Sequence, residues 1–224
     1  MNTEDNELYL VHMKLTEIPG LKPNLKKLVL HRNLITSMDL IKSNTLEELD
    51  LNDNKITVIK DLENTPNLKV LDLSFNCISH IPDINLIFLE ELYLICNDIT
   101  EISGLNLPSL KKLDIASNNI SKIKNLELLV NLEELYLGNN DIEVLENIEH
   151  LSKLKVLGIQ NNLLTYVDCL KIPKSIKSLL LYENHKLTKI DNINYLSNLN
   201  YLDIEKTGIK EAPAELSSTI DIDI

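Results

Sequence analysis

Leucine and isoleucine recur along this chain in a fixed phrase, L-x-x-L-x-L-x-x-N-x-I, whose central copy reads LEELYLGNNDI from Leu132 to Ile142. In its first half the leucines alternate with other residues, the period of two of a short strand with one buried face. Glu134, Tyr136 and Gly138 are therefore expected to point away from the core. After the asparagine the period changes to three, as in Ile120, Ile123, Leu126, Leu129 and Leu132 or Ile142, Leu145, Ile148, Leu151 and Leu154. Three residues per turn is 3-10 geometry. Each phrase thus predicts a strand, a tight turn and a 3-10-like return.

The phrase occurs ten times. Its asparagine falls at Asn33, Asn54, Asn76, Asn97, Asn118, Asn140, Asn162 and Asn184, in steps of 21 or 22 residues, with Met13 and Thr207 in that slot in the first and last copies. Such a period is the signature of leucine-rich repeats. It implies an α/β fold: a right-handed solenoid of about ten 21–23-residue repeats with a concave parallel β-sheet and convex 3-10 or short helical returns. The repeats run from about residue 5 to 212, so residues 1–224 are expected to form a single domain in which each coil buries its leucines against its neighbours. The asparagine column reads as structural, because an inward amide offers donors and an acceptor to backbone groups that a tight turn leaves unpaired. With five glycines in the chain, side-chain hydrogen bonds have to carry turns that glycine manages elsewhere. An extra residue between Asn184 and Leu187 predicts a bulged ladder from Glu183 to Leu187. Pro23, Pro66 and Pro108 fall in returns just before strands, where a missing N–H costs little.

Charge narrows the partners. A formal net charge of −12 makes a nucleic-acid backbone an unfavourable partner and a basic or mixed protein surface a favourable one. The start, MNTEDNELYL, lacks the basic and apolar stretches of a secretory signal, and no apolar run reaches the length of a membrane span. Cys77, Cys96 and Cys169 form no CxxC pair, which fits a reducing, intracellular compartment without disulfides or zinc. His12, His31, His80, His150 and His185 have no metal-ligand spacing, although His12 and His31 fall in adjacent coils. No nucleophile elbow, phosphate loop or metalloprotease motif occurs, so neither an enzyme nor a cofactor is expected. The carboxylate pairs of LEEL, at Glu47 and Glu48, Glu90 and Glu91, and Glu133 and Glu134, recur with the repeat and read as a solvated strand edge.

The residue between the last two strand leucines is Tyr9, Val29, Asp50, Asp72, Tyr93, Asp114, Tyr136, Gly158, Leu180 and Asp203 in successive copies. Flanking positions add Glu48, Glu91, Glu134, Tyr182, Tyr201 and Glu205, so five of the seven tyrosines line one surface of a chain without tryptophan. Tyrosine combines apolar area with a polar tip, a combination enriched at protein interfaces. The outward face is accordingly the candidate binding site.

The phrases LDLNDNKI (49–56), LDLSFNCI (71–78), LDIASNNI (113–120), LYLGNNDI (135–142) and LGIQNNLL (157–164) resemble the repeats of the protein phosphatase 1 regulatory subunit 7 family over residues 8 to 210. That resemblance implies a non-catalytic regulatory subunit that holds the phosphatase catalytic subunit in its concave face, with contacts alternating acidic and aromatic in consecutive strands. The matching positions are Asp72, Tyr93, Asp114 and Tyr136, with Asp203 at a later acidic position and Glu91, Glu134 and Tyr182 beside them. It further implies nuclear and cytoplasmic distribution and leaves room for a complex with other phosphatase inhibitors. The family continues into further repeats and a cap with more contacts, whereas here EAPAELSSTIDIDI follows the last strand and is expected to cover the final coil as a short tail. The alternative is an adaptor for another intracellular assembly, spliceosomal, ciliary or ribosome-associated.

Overall fold

In the computed structural model, residues 6–39, 42–213, 216 and 219–224 are described; the expected start of the first repeat at residue 5 lies outside them. Among the described residues thirteen three-residue strands follow one another: β1 (Glu7–Tyr9), β2 (Lys27–Val29), β3 (Glu48–Asp50), β4 (Val70–Asp72), β5 (Glu91–Tyr93), β6 (Lys112–Asp114), β7 (Glu134–Tyr136), β8 (Val156–Gly158), β9 (Tyr166–Asp168), β10 (Ser178–Leu180), β11 (Lys189–Asp191), β12 (Tyr201–Asp203) and β13 (Asp221–Asp223). All but β9 and β11 join one parallel sheet in chain order. The middle residues pair along its length, Leu28 with Leu49, Leu71, Leu92, Leu113, Leu135, Leu157, Leu179 and Leu202, and these leucines are buried. Alternation therefore fixes which side of each strand faces out, as the repeat phrase requires.

The returns depart from continuous 3-10 helix. Such helices occur at Leu62–Asn64, Cys169–Lys171 and Ile193–Tyr195. Elsewhere isolated turns suffice, as where Leu129 N donates to Leu126 O and Leu132 N to Leu129 O. The three-residue period still buries Ile142, Leu145, Ile148, Leu151 and Leu154, so inward spacing, rather than helix, is what the sequence imposed.

Each buried asparagine stitches its coil to the one before. Asn118 Oδ1 accepts from Ile99 N at 3.0 Å, while its Nδ2 donates to Leu94 O, Ile115 O and Ala116 O. The same arrangement recurs at Asn54, Asn76, Asn97, Asn140 and Asn162. Immediately before this column every coil turns left-handed on a residue other than glycine: His12, Arg32, Asp53, Phe75, Cys96, Ser117, Asn139, Asn161, Glu183 and Lys206, with φ between 48° and 59°. That conformation costs an L-residue about 1 kcal/mol or more. It is held by a hydrogen bond to the next coil, for example Ser117 N to Gly138 O at 2.8 Å.

Two expectations need correction. The ladder is not bulged near Glu183, because β10 pairs in unbroken register with both β8 and β12. The extra residue falls in the turn beyond the three paired positions, where Leu187 N donates to Asn184 O. The return before this turn and the one after it pair as a separate two-stranded sheet, β9 with β11. Nor is the C-terminal segment only a tail: Asp221–Asp223 adds an eleventh strand to the main sheet, Ile222 opposite Leu202.

Along the edge where strands begin, charge alternates from coil to coil through Lys26, Glu47, Lys69, Glu90, Lys111, Glu133 and Lys155. Glu47 reaches Lys26 at 3.4 Å and Lys69 at 2.6 Å, Glu90 reaches Lys111 at 2.6 Å, and Glu133 pairs with Lys155. These lysines hold the carboxyls of Glu47 and Glu133 below the usual range. Exposed pairs of this kind contribute little stability each. They do absorb much of the charge on this edge.

Candidate functional site

The outward row predicted from sequence is one hydrogen-bonded register: Tyr9, Val29, Asp50, Asp72, Tyr93, Asp114, Tyr136, Gly158, Leu180 and Asp203 stand opposite one another across ten strands. Asp72, Tyr93, Asp114 and Tyr136 occupy four adjacent strands and are half-buried. Glu91 and Glu134 precede the two tyrosines on the same face, and Tyr182 follows β10, also half-buried. Asp203 lies three strands beyond Tyr136, roughly 14 Å away at the spacing of paired strands. It belongs to the face but not to the cluster.

The two residue types differ in what their own chain already asks of them. Asp50, Asp72, Asp114 and Asp203 each turn one carboxylate oxygen back to a backbone N–H two residues on, those of Asn52, Ser74, Ala116 and Glu205, at 2.8 to 3.2 Å. Aspartate in this column thus supports the strand exit as well as presenting charge, a local bond typical of the residue. Burial pushes the Asp72 and Asp114 carboxyls above their ordinary value. The tyrosines instead donate to carboxylates on their own strand, Tyr93 Oη to Glu91 at 2.6 Å and Tyr136 Oη to Glu134 at 3.1 Å. Burial, with the charge of Glu134 beside it, pushes the Tyr136 hydroxyl up to about 12, and burial with Glu91 raises Tyr93 as well. Both phenols are protonated donors at neutral pH.

Sequence reading missed what fixes the rings. Lys112 on β6 stands between them, its Nζ 5.4 Å from the Tyr93 centroid and 5.3 Å from that of Tyr136, and 3.4 Å from Glu134. A cation over two rings restrains both. On the far side, Gly158 leaves room for Tyr136: a Cβ there would come within 2.9 Å of the ring. The available signal was the upstream strand position, where Lys112 falls between Glu91 and Glu134 in register. His12 and His31 do meet, but through backbone, His12 N donating to His31 O, while the His31 ring contacts Asp50 at 3.1 Å. Cys77, Cys96 and Cys169 are free thiols, and burial pushes that of Cys169 up to about 12. Among the described residues no group of three or more His, Cys, Asp or Glu is placed to hold a metal ion, and no helix is long and apolar enough to cross a membrane.

An open, in-register sheet face on a stacked solenoid defines a repeat-built scaffold for protein–protein interaction, and nothing in it points to catalysis. The chain belongs to the leucine-rich repeat family: a family model described as Leucine Rich repeats (2 copies) matches residues 44–85, 88–128 and 130–171, more than half its length. Among solved structures it is similar to the APL1 leucine-rich repeat domain, at 25% identity and a TM-score of 0.73 over 88% of this chain and 53% of that one. It is also similar to YopM from Yersinia enterocolitica WA-314, at 26% identity and 0.67 over 94% and 50%. The functional domain of InlJ from Listeria monocytogenes, at 23% identity and 0.71 over 88% and 48%, shares the fold. This chain therefore spans about half the length of these structures. No curated protein matches it.

Proposed function

We propose that the protein is a regulatory subunit that binds the catalytic subunit of protein phosphatase 1 through its concave face. The observation that carries this reading is the row Asp72, Tyr93, Asp114 and Tyr136, in which acid and aromatic alternate on four consecutive paired strands. The resemblance of the repeat phrases to those of the protein phosphatase 1 regulatory subunit 7 family supports the choice of partner. In this reading residues 1–224 act as one binding domain in nucleus and cytoplasm, with other phosphatase inhibitors able to join the complex. Glu91, Glu134 and Tyr182 flank the contact, and Asp203 meets the partner at a separate point. Regulation is then by occupancy: the subunit supplies surface and charge, while the chemistry stays with the phosphatase.

The test is titration calorimetry of the purified protein against a phosphatase 1 catalytic subunit, beside a Tyr93→Ala plus Tyr136→Ala variant whose circular dichroism is unchanged. Tight binding by the parent chain and a large loss in the variant are expected. Equal affinity for both would end the concave-face reading. Affinity purification from native extract that yields a splicing or ribosomal assembly in place of the phosphatase would replace the partner.

A further inference from the structure

The concave face is uneven. Between β2 and β5 it holds a cavity of about 170 Å³ lined by the apolar side chains of Val29 and Val70, the ring of Tyr93 and the carboxylates Glu48, Asp50 and Asp72. Lys27 also borders it, but its Nζ lies 2.6 Å from Glu48 Oε2, so those two charges offset each other. Besides the Asn52 N–H, Asp50 meets the His31 ring at 3.1 Å, and no lysine or arginine among the described residues lies within 4 Å of it. Asp72 has no cation within 4 Å among the described residues. Burial, with the charge of Asp50 added, raises its carboxyl above the ordinary value. The cavity therefore joins apolar walls to two carboxylates that no lysine or arginine of the described residues reaches.

Tyr93 separates this cavity from Lys112, and on that other side the ring already has an ammonium group 5.4 Å from its centroid. The centre of the face is thus supplied with its own cation, whereas in the cavity the lysine present, Lys27, is taken by Glu48 and leaves Asp50 and Asp72 without one. We propose that the cavity receives an arginine side chain from a basic segment of the partner, its guanidinium lying between Asp50 and Asp72 and against Tyr93. Arginine fits better than lysine for three reasons. Its planar fork can serve two carboxylates at once, its face stacks on an aromatic ring, and its weaker hydration lowers the cost of entering a half-buried site. A cavity of this size admits one side chain, so it reads a single residue and orients the segment that carries it. The inference rests on concave-face docking and adds the chemistry of what enters.

The experiment uses N-acetyl-arginine amide as probe and its neutral isostere N-acetyl-citrulline amide as control, titrated into methyl-labelled protein and followed by NMR. The Val29 and Val70 methyl resonances are expected to shift with the arginine probe and not with citrulline. Asp72→Asn, which can still accept the Ser74 N–H, should weaken the arginine response about tenfold, the range of a lost charge-assisted bond. Equal shifts with both probes, shifts confined to other residues, or an unaffected Asp72→Asn protein would overturn the proposal. Calorimetry of the parent chain and Asp72→Asn against the phosphatase catalytic subunit keeps the two readings apart. A phosphatase that binds neither removes the partner and leaves the cavity to the arginine titration; one that binds both equally removes the cavity and leaves the docking face.

Discussion

Two polar columns run the length of this solenoid, four residues apart in each coil: the asparagines at the turn and the acids and tyrosines of the concave row. Both recur with the repeat, and both could be mistaken for a ligand ladder. Geometry separates them. Asn118 spends its carbonyl and its amide on four backbone groups in two coils and is buried. Tyr136 makes one hydroxyl bond to Glu134 and keeps its ring half-exposed beside Lys112. A repeated polar residue whose bonding capacity is exhausted inside the chain holds the fold; one with capacity left over is available to a partner. Aspartate in the concave row stands between these cases, with one oxygen committed to backbone.

The largest effect should come from the turn. Asn118→Ala leaves the Ile99 N–H and the carbonyls of Leu94 and Ile115 short of a buried partner, and should cost about 3 kcal/mol of stability. Urea unfolding followed by circular dichroism measures it; a loss near zero would erase the distinction between the columns. Tyr136→Ala should do the reverse, costing about 2 kcal/mol of binding to the proposed phosphatase partner while hardly moving the unfolding midpoint. Leu135 and Leu137 on either side carry the burial, so a destabilised Tyr136→Ala protein would place the ring on the structural side.

Smaller effects sharpen the boundary. Ser117→Gly relieves the left-handed strain one residue before the asparagine, and the gain, net of the greater freedom of glycine when unfolded, should be about 0.5 kcal/mol. A loss on this substitution would mean that the turn is held by the serine side chain instead. Asp114→Asn is the mildest. Burial raises the folded carboxyl above its ordinary 3.8, so the folded chain holds that proton more tightly than the unfolded one. The resulting stability is fully present below 3.8 and is lost as pH rises through the raised value. At pH 7 the asparagine protein should therefore melt at the same temperature as the parent or slightly higher, and the gap should close below pH 3.8. A lower melting temperature at pH 7 would show that the carboxylate's charge stabilises the coil.

Much of this was legible because the phrase carries two periods at once. Alternation in LEELYL fixed the paired register of Tyr136, and the buried asparagine was readable from its hydrogen-bonding inventory. Spacing of three placed Leu145 and Ile148 inward correctly, but spacing does not specify a backbone path, and helix was expected where single turns suffice. The extra residue between Asn184 and Leu187 was read as a bulge because sequence does not show that pairing stops before it, at Leu180. Asp221–Asp223 escaped notice because the strand lacks the leucines of the phrase, although its alternation was visible. Lys112 escaped because its role depends on two rings in neighbouring coils. What the repeat carries in every coil was readable; contacts that depend on particular side chains in neighbouring coils were not.

The alternating edge charges make two coils, rather than one, the natural unit of length. Excising the coil that carries Glu90 would set Lys69 beside Lys111, so a chain shortened by one repeat would meet like charges at its new junction. Removing the Glu90 and Lys111 coils together would set Lys69 beside Glu133 and keep the sequence of signs intact. The solenoid can thus be read as a string of paired tiles with opposite faces, and it should accept lengthening or trimming in even steps more readily than in odd ones.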